Sequence, residues 1–205
     1  EGSIFDHELI EQLFNNADLC VNLIGILFEK GKNNFNNIHV EFPKMISRYA
    51  STYKLEKFVH LSALGIENAK DSIYAQSKLK GEEEILNNFD KAVIVRPSIV
   101  YSVDDNFTTQ LMTLLGLLPI FPIYYNGKTK FRPIFCSDLT NSITKIITDD
   151  IKENIIEFAG PEEMSFKEIL EKLLSLIEKK RLLLPIPISL ARMTAHIFEL
   201  LPKPL

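Results

Sequence analysis

Residues 57–97 read KFVHLSALGIENAKDSIYAQSKLKGEEEILNNFDKAVIVRP. Lys57-Phe58-Val59-His60-Leu61-Ser62 is a short, mostly apolar run of strand length. Ser72 to Asn87 has helical patterning, with Asp71 or Ser72 as its N-terminal cap. Ala92-Val93-Ile94-Val95-Arg96 is a second strand, stopped by Pro97. A strand, a helix and a strand in this order make a βαβ unit. That unit predicts a parallel sheet with helices packed on it.

The same alternation continues outward. Upstream, Leu19 to Leu27 is a near-continuous apolar run, expected as a central parallel strand. His7 to Asn15 carries a helical stripe of Leu9, Ile10, Leu13 and Phe14, and Asn36 to Tyr53 is helix-patterned. Gly2-Ser3-Ile4 reads as the tail of a strand. Downstream, Phe131–Phe135, Ile155–Ala159 and Arg181–Pro185 read as strands. Helices are expected from Asp138 to about Thr148, from a Ser165 cap, and over Ser189–Leu201. The expected architecture is α/β: a Rossmann-like, doubly wound parallel sheet with a small C-terminal α/β substrate lobe. Residues 1–103 would form a partial Rossmann domain. Residues 104–205 would mostly form the lobe, partly interleaved with that domain.

A doubly wound sheet has two βαβαβ halves, and the strands from Leu19 onward supply only the second. The first half would need roughly 60 to 70 further residues upstream, the size of two βαβ units. Both ends of the chain look cut, and the strand from Leu19 is expected to lack one neighbour.

Composition narrows the function. The chain has 205 residues, 46% of them hydrophobic, and a formal net charge of −4. A nucleic-acid partner would call for a basic patch that this balance does not provide. Two cysteines, Cys20 and Cys136, make no disulfide scaffold and point to a reducing compartment. The four histidines make no zinc-ligand spacing with them, so no metal is expected. The apolar runs fall short of the roughly 20 residues of a membrane span, so no transmembrane segment is expected.

Tyr74-Ala75-Gln76-Ser77-Lys78 is a Tyr-x-x-x-Lys pair, which a helix places on one face. A lysine ammonium beside a phenol favours the phenolate and pulls the tyrosine down from about 10. Such a tyrosine can exchange a proton while a nicotinamide moves a hydride. Ser62, at the preceding strand end, could bond the substrate oxygen. The spacing alone selects nothing, because Tyr53–Lys57 and Tyr124–Lys128 share it. Tyr53–Lys57 straddles a helix end, and Asn126-Gly127 reads as a turn. Only Tyr74–Lys78 lies on a helix after a strand ending in serine. A surface Tyr and Lys on an acidic helix is the competing reading.

Several ordered stretches carry a resemblance. They are Ala17 to Leu27, His39-Val40-Glu41, Phe58 to Gly65, Tyr74 to Lys78 with Gly81-Glu82, and Arg96-Pro97-Ser98. Asp104-Asp105-Asn106-Phe107, Phe131 to Phe135 with Asp138, and Gly160-Pro161-Glu162 follow. Over essentially its whole length the chain resembles the atypical and extended short-chain dehydrogenase/reductases, of the NAD-dependent epimerase/dehydratase kind. Within them it is most similar to the nucleotide-binding accessory subunit of respiratory complex I and its bacterial relatives.

The resemblance implies a catalytic triad of Ser62, Tyr74 and Lys78. It implies cofactor contacts from Ser3, Ile4, Asn22, Leu23, Ile24, Gly25, Tyr74, Lys78, Arg96, Pro97 and Ser98. The cofactor would be NAD or NADP, and Arg132 and the segment after Tyr101 would face a substrate. His39 stands where extended enzymes place a relay asparagine, although a hydrogen-bonded structural histidine is the preferred reading. No Gly-x-Gly-x-x-Gly occurs among the eight glycines. Asp105 and Asp138 read as caps, Cys136 as packing, and Glu82-Glu83-Glu84 as a solvated face.

Two functions follow as expectations. One is an NAD(P)(H)-binding, complex I accessory-subunit-like protein whose nucleotide is structural and whose partners include respiratory subunits. The other is a free oxidoreductase or epimerase acting on a small carbonyl or sugar-like substrate. The location would be cytoplasmic, or peripheral to the respiratory inner membrane.

Overall fold

A computed structural model describes residues 2–187. In chain order the elements are α1 (His7–Phe14), β1 (Leu19–Asn22), a π-helical turn (Asn36–Glu41) running into α2 (Phe42–Thr52), β2 (Lys57–Leu61), α3 (Ile73–Asn88) and β3 (Val93–Pro97). Then come β4 (Val100–Tyr101), α4 (Asn106–Leu117), β5 (Ile120–Tyr124), β6 (Lys130–Phe131), β7 (Ile134–Phe135) and α5 (Cys136–Thr148). The last are β8 (Ile155–Phe158), β9 (Met164–Ser165), α6 (Phe166–Leu176) and β10 (Leu182–Ile186). The helix expected over Ser189–Leu201 lies outside the described residues.

The described residues form two compact units, the first from those up to Pro97 with Ser137–Phe158 and the second from Ser98–Cys136 with the described residues from Ala159. The first unit holds a four-stranded sheet in the order β1-β2-β3-β8, parallel at every pairing. Val21 pairs with Val59, Leu61 with Val95, and Arg96 with Glu157. The two central strands are buried through their middles, as strands covered on both faces must be. Phe14, Phe42, Ile46, Ala50, Phe58, Ile85, Phe89 and Ile94 form the core between sheet and helices. This is the Rossmann-like α/β arrangement that the alternation of strands and helices predicts.

The second unit packs α4 and α6 around Leu115, Phe121, Ile123, Ile169, Leu170, Leu173 and Leu174. Asp105 caps α4 by accepting from the Thr108 N–H at 2.6 Å. Ser165 and Glu168 close a reciprocal capping box on α6. Asn126 and Gly127 both have positive φ, 55° and 66°, so the Tyr124–Lys128 segment is a turn.

Four details differ from the sequence reading, each for a local reason. The run from Leu19 is a strand only as far as Asn22. There the Asn22 Oδ1 accepts the Ile24 N–H at 3.1 Å and turns the chain out of the sheet. Gly2-Ser3-Ile4 is not a strand end, because the Asp6 N–H donates to the Ser3 carbonyl at 3.0 Å and closes a turn before α1. Phe131–Phe135 divides into β6 and β7, which pair with different strands on either side of Pro133. Glu82 is not on a solvated face. It lies one turn after Lys78 on the inner side of α3, 3% exposed, and Arg96 grips it through Nη2 at 2.6 Å and Nε at 3.1 Å.

Glu82 is buried and Arg96 half-buried, and Glu67 and Glu157 approach the same guanidinium at 3.4 and 3.7 Å. Neutralising Glu82 removes charge-assisted hydrogen bonds while leaving Arg96 two other carboxylates nearby. Glu82→Gln should therefore cost about 2 kcal/mol in urea unfolding, whereas Glu83→Gln, on the exposed side of the helix, should stay within about 0.5 kcal/mol.

Candidate functional site

Ser62 follows β2 directly, and its N–H continues the sheet pattern by donating to the Val95 carbonyl at 2.7 Å. Its side chain is buried, and Oγ has no hydrogen-bond partner among the described residues. Tyr74 and Lys78 sit one turn apart on α3, which Ser72 caps by accepting the Ala75 N–H at 3.2 Å. Lys78 is 4% exposed, and its Nζ donates to the Leu61 carbonyl at 2.8 Å. The ammonium thus closes on the strand end that presents Ser62. Burial pulls Lys78 down to about 8, against the opposing pull of Glu82.

Tyr74 behaves differently from the sequence reading. Burial raises its phenol above the usual 10.0. Lys78 spends its hydrogen bond on a backbone carbonyl, and the Tyr74 ring packs edge-on against Phe35 at 5.9 Å and His39 at 5.4 Å. At neutral pH this tyrosine is a protonated phenol.

The residues around the triad are held by two imidazoles whose proton positions follow from their partners. A backbone N–H can only donate, so the Ile26 N–H at 3.1 Å makes His39 Nε2 an acceptor. His39 Nδ1 then carries the proton and donates to Ser77 Oγ at 2.8 Å, while the Ser77 hydroxyl donates to the Tyr74 carbonyl at 2.7 Å. In the same way Asn22 offers Oδ1 to Ile24 and donates from Nδ2 to His60 Nδ1 at 2.9 Å. His60 therefore carries its proton on Nε2. Both rings are neutral. Burial first, and then the Lys78 charge, lower His39 to about 4 and hold His60 well below 6.5.

The other residues named from sequence divide into groups. Asn22 is buried in this network, and Leu23, Ile24 and Gly25 continue from it on an exposed loop. A Cβ on Gly25 would stand 3.8 Å from His39 Nε2 and 4.0 Å from Lys78 Nζ, so the loop backbone passes beside both groups. Arg96 is engaged with Glu82, and Pro97 is buried beside Phe158 in the sheet register. Ser98 opens the second unit. Ser3 is exposed and Ile4 packs against the core beside α1. A cavity of about 530 Å³ on that side is lined by Ile4, Asn37, Lys44 and Tyr49, with none of the triad in its wall.

Sequence reasoning missed His60, Ser77 and Phe35. His60 lies two residues before Ser62, on the same face of the strand, and that spacing was the available signal.

No family model matches the chain. The mitochondrial NADH dehydrogenase [ubiquinone] 1 alpha subcomplex subunit 9 of Mus musculus is 23% identical over 198 residues, which is 96% of this chain and 52% of that protein. The chain is similar in sequence to this complex I subunit. It spans about half the length of the curated relatives it matches. In fold it superposes on the dTDP-4-dehydrorhamnose reductase of Bacillus anthracis, crystallised with NADP, with a TM-score of 0.75. That match is 16% identical and covers 90% of this chain and 72% of the reductase. The UDP-glucuronic acid 4-epimerase of Bacillus cereus, crystallised with NAD, gives a TM-score of 0.73 at 21% identity, over 90% and 67% of the two chains. The chain thus has the Rossmann-like fold of these reductases and epimerases. Among the described residues no helix is long and apolar enough to cross a membrane.

The neutral imidazoles set a pH dependence. Their folded values lie below the unfolded one, so the unfolded chain takes up protons first as the pH falls. Stability is complete above about 6.5 and is lost as the pH drops towards the His39 value of about 4. Urea unfolding at a series of pH values should show a loss of roughly 1 kcal/mol per pH unit for each histidine in that window. His39→Gln should flatten the slope.

Proposed function

We propose that these residues form the ribose–nicotinamide side of an NAD(P)(H) site in a complex I accessory-subunit-like protein, and that the nucleotide there is chiefly structural. The observation that carries the reading is a buried Ser62 hydroxyl with no partner among the described residues, at the strand end whose Leu61 carbonyl holds the Lys78 ammonium, with the Gly25 backbone beside that ammonium. Lys78 spends one of its three N–H bonds on Leu61 among the described residues, which leaves donors for a ribose diol. Ser62 can bond a carboxamide or a substrate oxygen. The Gly25 backbone passes beside Lys78 Nζ, and even a Cβ there would stand 4.0 Å from it, at ordinary contact distance.

When bound, the nicotinamide supplies or accepts a hydride. The chain's own residues hold and orient it. Tyr74 is a protonated phenol above its ordinary range, suited to donating a hydrogen bond and poorly suited to acting as a base near neutral pH. Such a phenol suits holding a nucleotide, and in any turnover it would serve a reduction, as proton donor, rather than an oxidation. The loop N–H groups of Ile24 and Ile26 are already bonded to Asn22 and His39, so these two do not serve a pyrophosphate. The relatives named as complex I subunits support association with a respiratory complex and a peripheral place at its membrane.

A second reading is a free NAD(P)-dependent oxidoreductase or epimerase. The unpartnered Ser62 hydroxyl favours it, since a catalytic serine must keep its oxygen available for substrate.

Nucleotide titration of the full-length protein separates the two. Lys78→Met should weaken NAD(P)H binding about tenfold to a hundredfold, the range for a lost charged hydrogen bond. Tyr74→Phe should leave the affinity nearly unchanged. If Tyr74→Phe also cuts turnover of an accepted carbonyl substrate by about 10² or more, the catalytic reading replaces the structural one.

Native gels of membranes from the source cell give an independent test. The protein should migrate with respiratory subunits, and consistent migration apart from them would sink the accessory-subunit reading.

A further inference from the structure

We infer that His39 is a positioning residue that, by accepting the Ile26 N–H, ties the loop after β1 to the π-helical turn packed on α3, and so holds the dinucleotide-facing backbone in its binding conformation. This rests on the reading of Ser62 and Lys78 as a dinucleotide site.

The loop from Leu23 to Phe28 has little packing of its own. Leu23, Leu27 and Phe28 are 60%, 81% and 57% exposed. Its shape comes instead from two backbone N–H groups captured by side chains. Ile24 donates to Asn22, whose amide is held in turn by His60. Ile26 donates to His39, which is 1% exposed and rooted in the π-helical turn. The turn is itself pinned to α3, because a Cβ at Gly81 would collide with the His39 carbonyl oxygen. From its other nitrogen the imidazole reaches Ser77 Oγ and, through that hydroxyl, the Tyr74 carbonyl. Phe35 stacks on the ring at 5.3 Å, which fixes its plane.

The result is one unbroken line of directed bonds from Ile26 N–H to the Tyr74 carbonyl. Each bond in it requires the proton to sit on Nδ1. An imidazolium could not accept from Ile26, and the other neutral form would face N–H against N–H. Lys78 Nζ, close to the same Gly25 backbone as His39 Nε2, opposes a second positive charge there.

The two bonds of His39 can be removed separately. In His39→Gln the side-chain oxygen reaches the Nε2 position and keeps the Ile26 bond. In His39→Asn the amide nitrogen takes the Nδ1 position and keeps the Ser77 bond, but nothing reaches Ile26. NADPH titration of the full-length protein should give His39→Gln an affinity within about threefold of the parent. His39→Asn should be weakened about tenfold, the effect of leaving the part-buried Ile26 N–H unpaired. Equal losses in both variants, or an unchanged His39→Asn, would overturn the inference.

Long-range ¹H–¹⁵N correlation of the parent protein at pH 7 supplies a readout that does not depend on either variant folding. It should show His39 protonated on Nδ1 alone, and protonation on Nε2 would overturn the inference. Absence of NADPH binding by the parent protein is a different outcome. It removes the dinucleotide reading itself, and with it the role assigned to the loop.

Discussion

The site depends on where one positive charge is placed. Lys78 is almost wholly buried, and its ammonium lies against the carbonyl of Leu61 at the end of a parallel strand. Parallel strands all present carbonyls and loops at this end, so a buried lysine can be satisfied here without a dedicated carboxylate partner. The charge then constrains everything near it. Two imidazoles within its field must be neutral, and neutral imidazoles act as one donor and one acceptor each. With those roles assigned, the orientation of Asn22 and the direction of the Ser77 hydroxyl follow.

Much of the fold was legible because residues 57–97 carry simple signals. Short β-rich runs flank a capped helix, and Pro97 closes the unit. Ser62, Tyr74 and Lys78 could be located in the fold because Ser62 ends a strand and Tyr74–Lys78 lies within the first turns of a helix. What failed in the reading failed where a side chain outweighed the backbone pattern. Asn22 ended a run that looked like a longer strand, by accepting the N–H that the ladder would have used. Glu82 looked solvated because two acidic neighbours follow it, yet its position one turn after Lys78 turns it inward to Arg96. The titration of Tyr74 was misjudged because spacing on a helix says that two side chains share a face. It does not say which group the lysine chooses to bond.

The two units divide the sequence differently from its motifs. Arg96 and Pro97 close the first unit, and Ser98 opens the second, so a tripeptide read as one feature spans a boundary. The first unit also regains chain from residue 137 to 158, which supplies its fourth strand. A fold assembled this way cannot be separated into independent pieces by a single cut. The interleaving makes the parallel sheet depend on residues well beyond its βαβ core.

Gly81 has a consequence of another kind. Its missing Cβ leaves room for the carbonyl of His39, so the widened turn and the helix meet backbone to backbone. Neither position is then free to drift alone. A larger residue at 81 would force one of the two backbones to shift, and a shift of the turn would move residue 39 relative to Ile26 and Ser77. The two positions, distant in the chain, are thus coupled through their backbones.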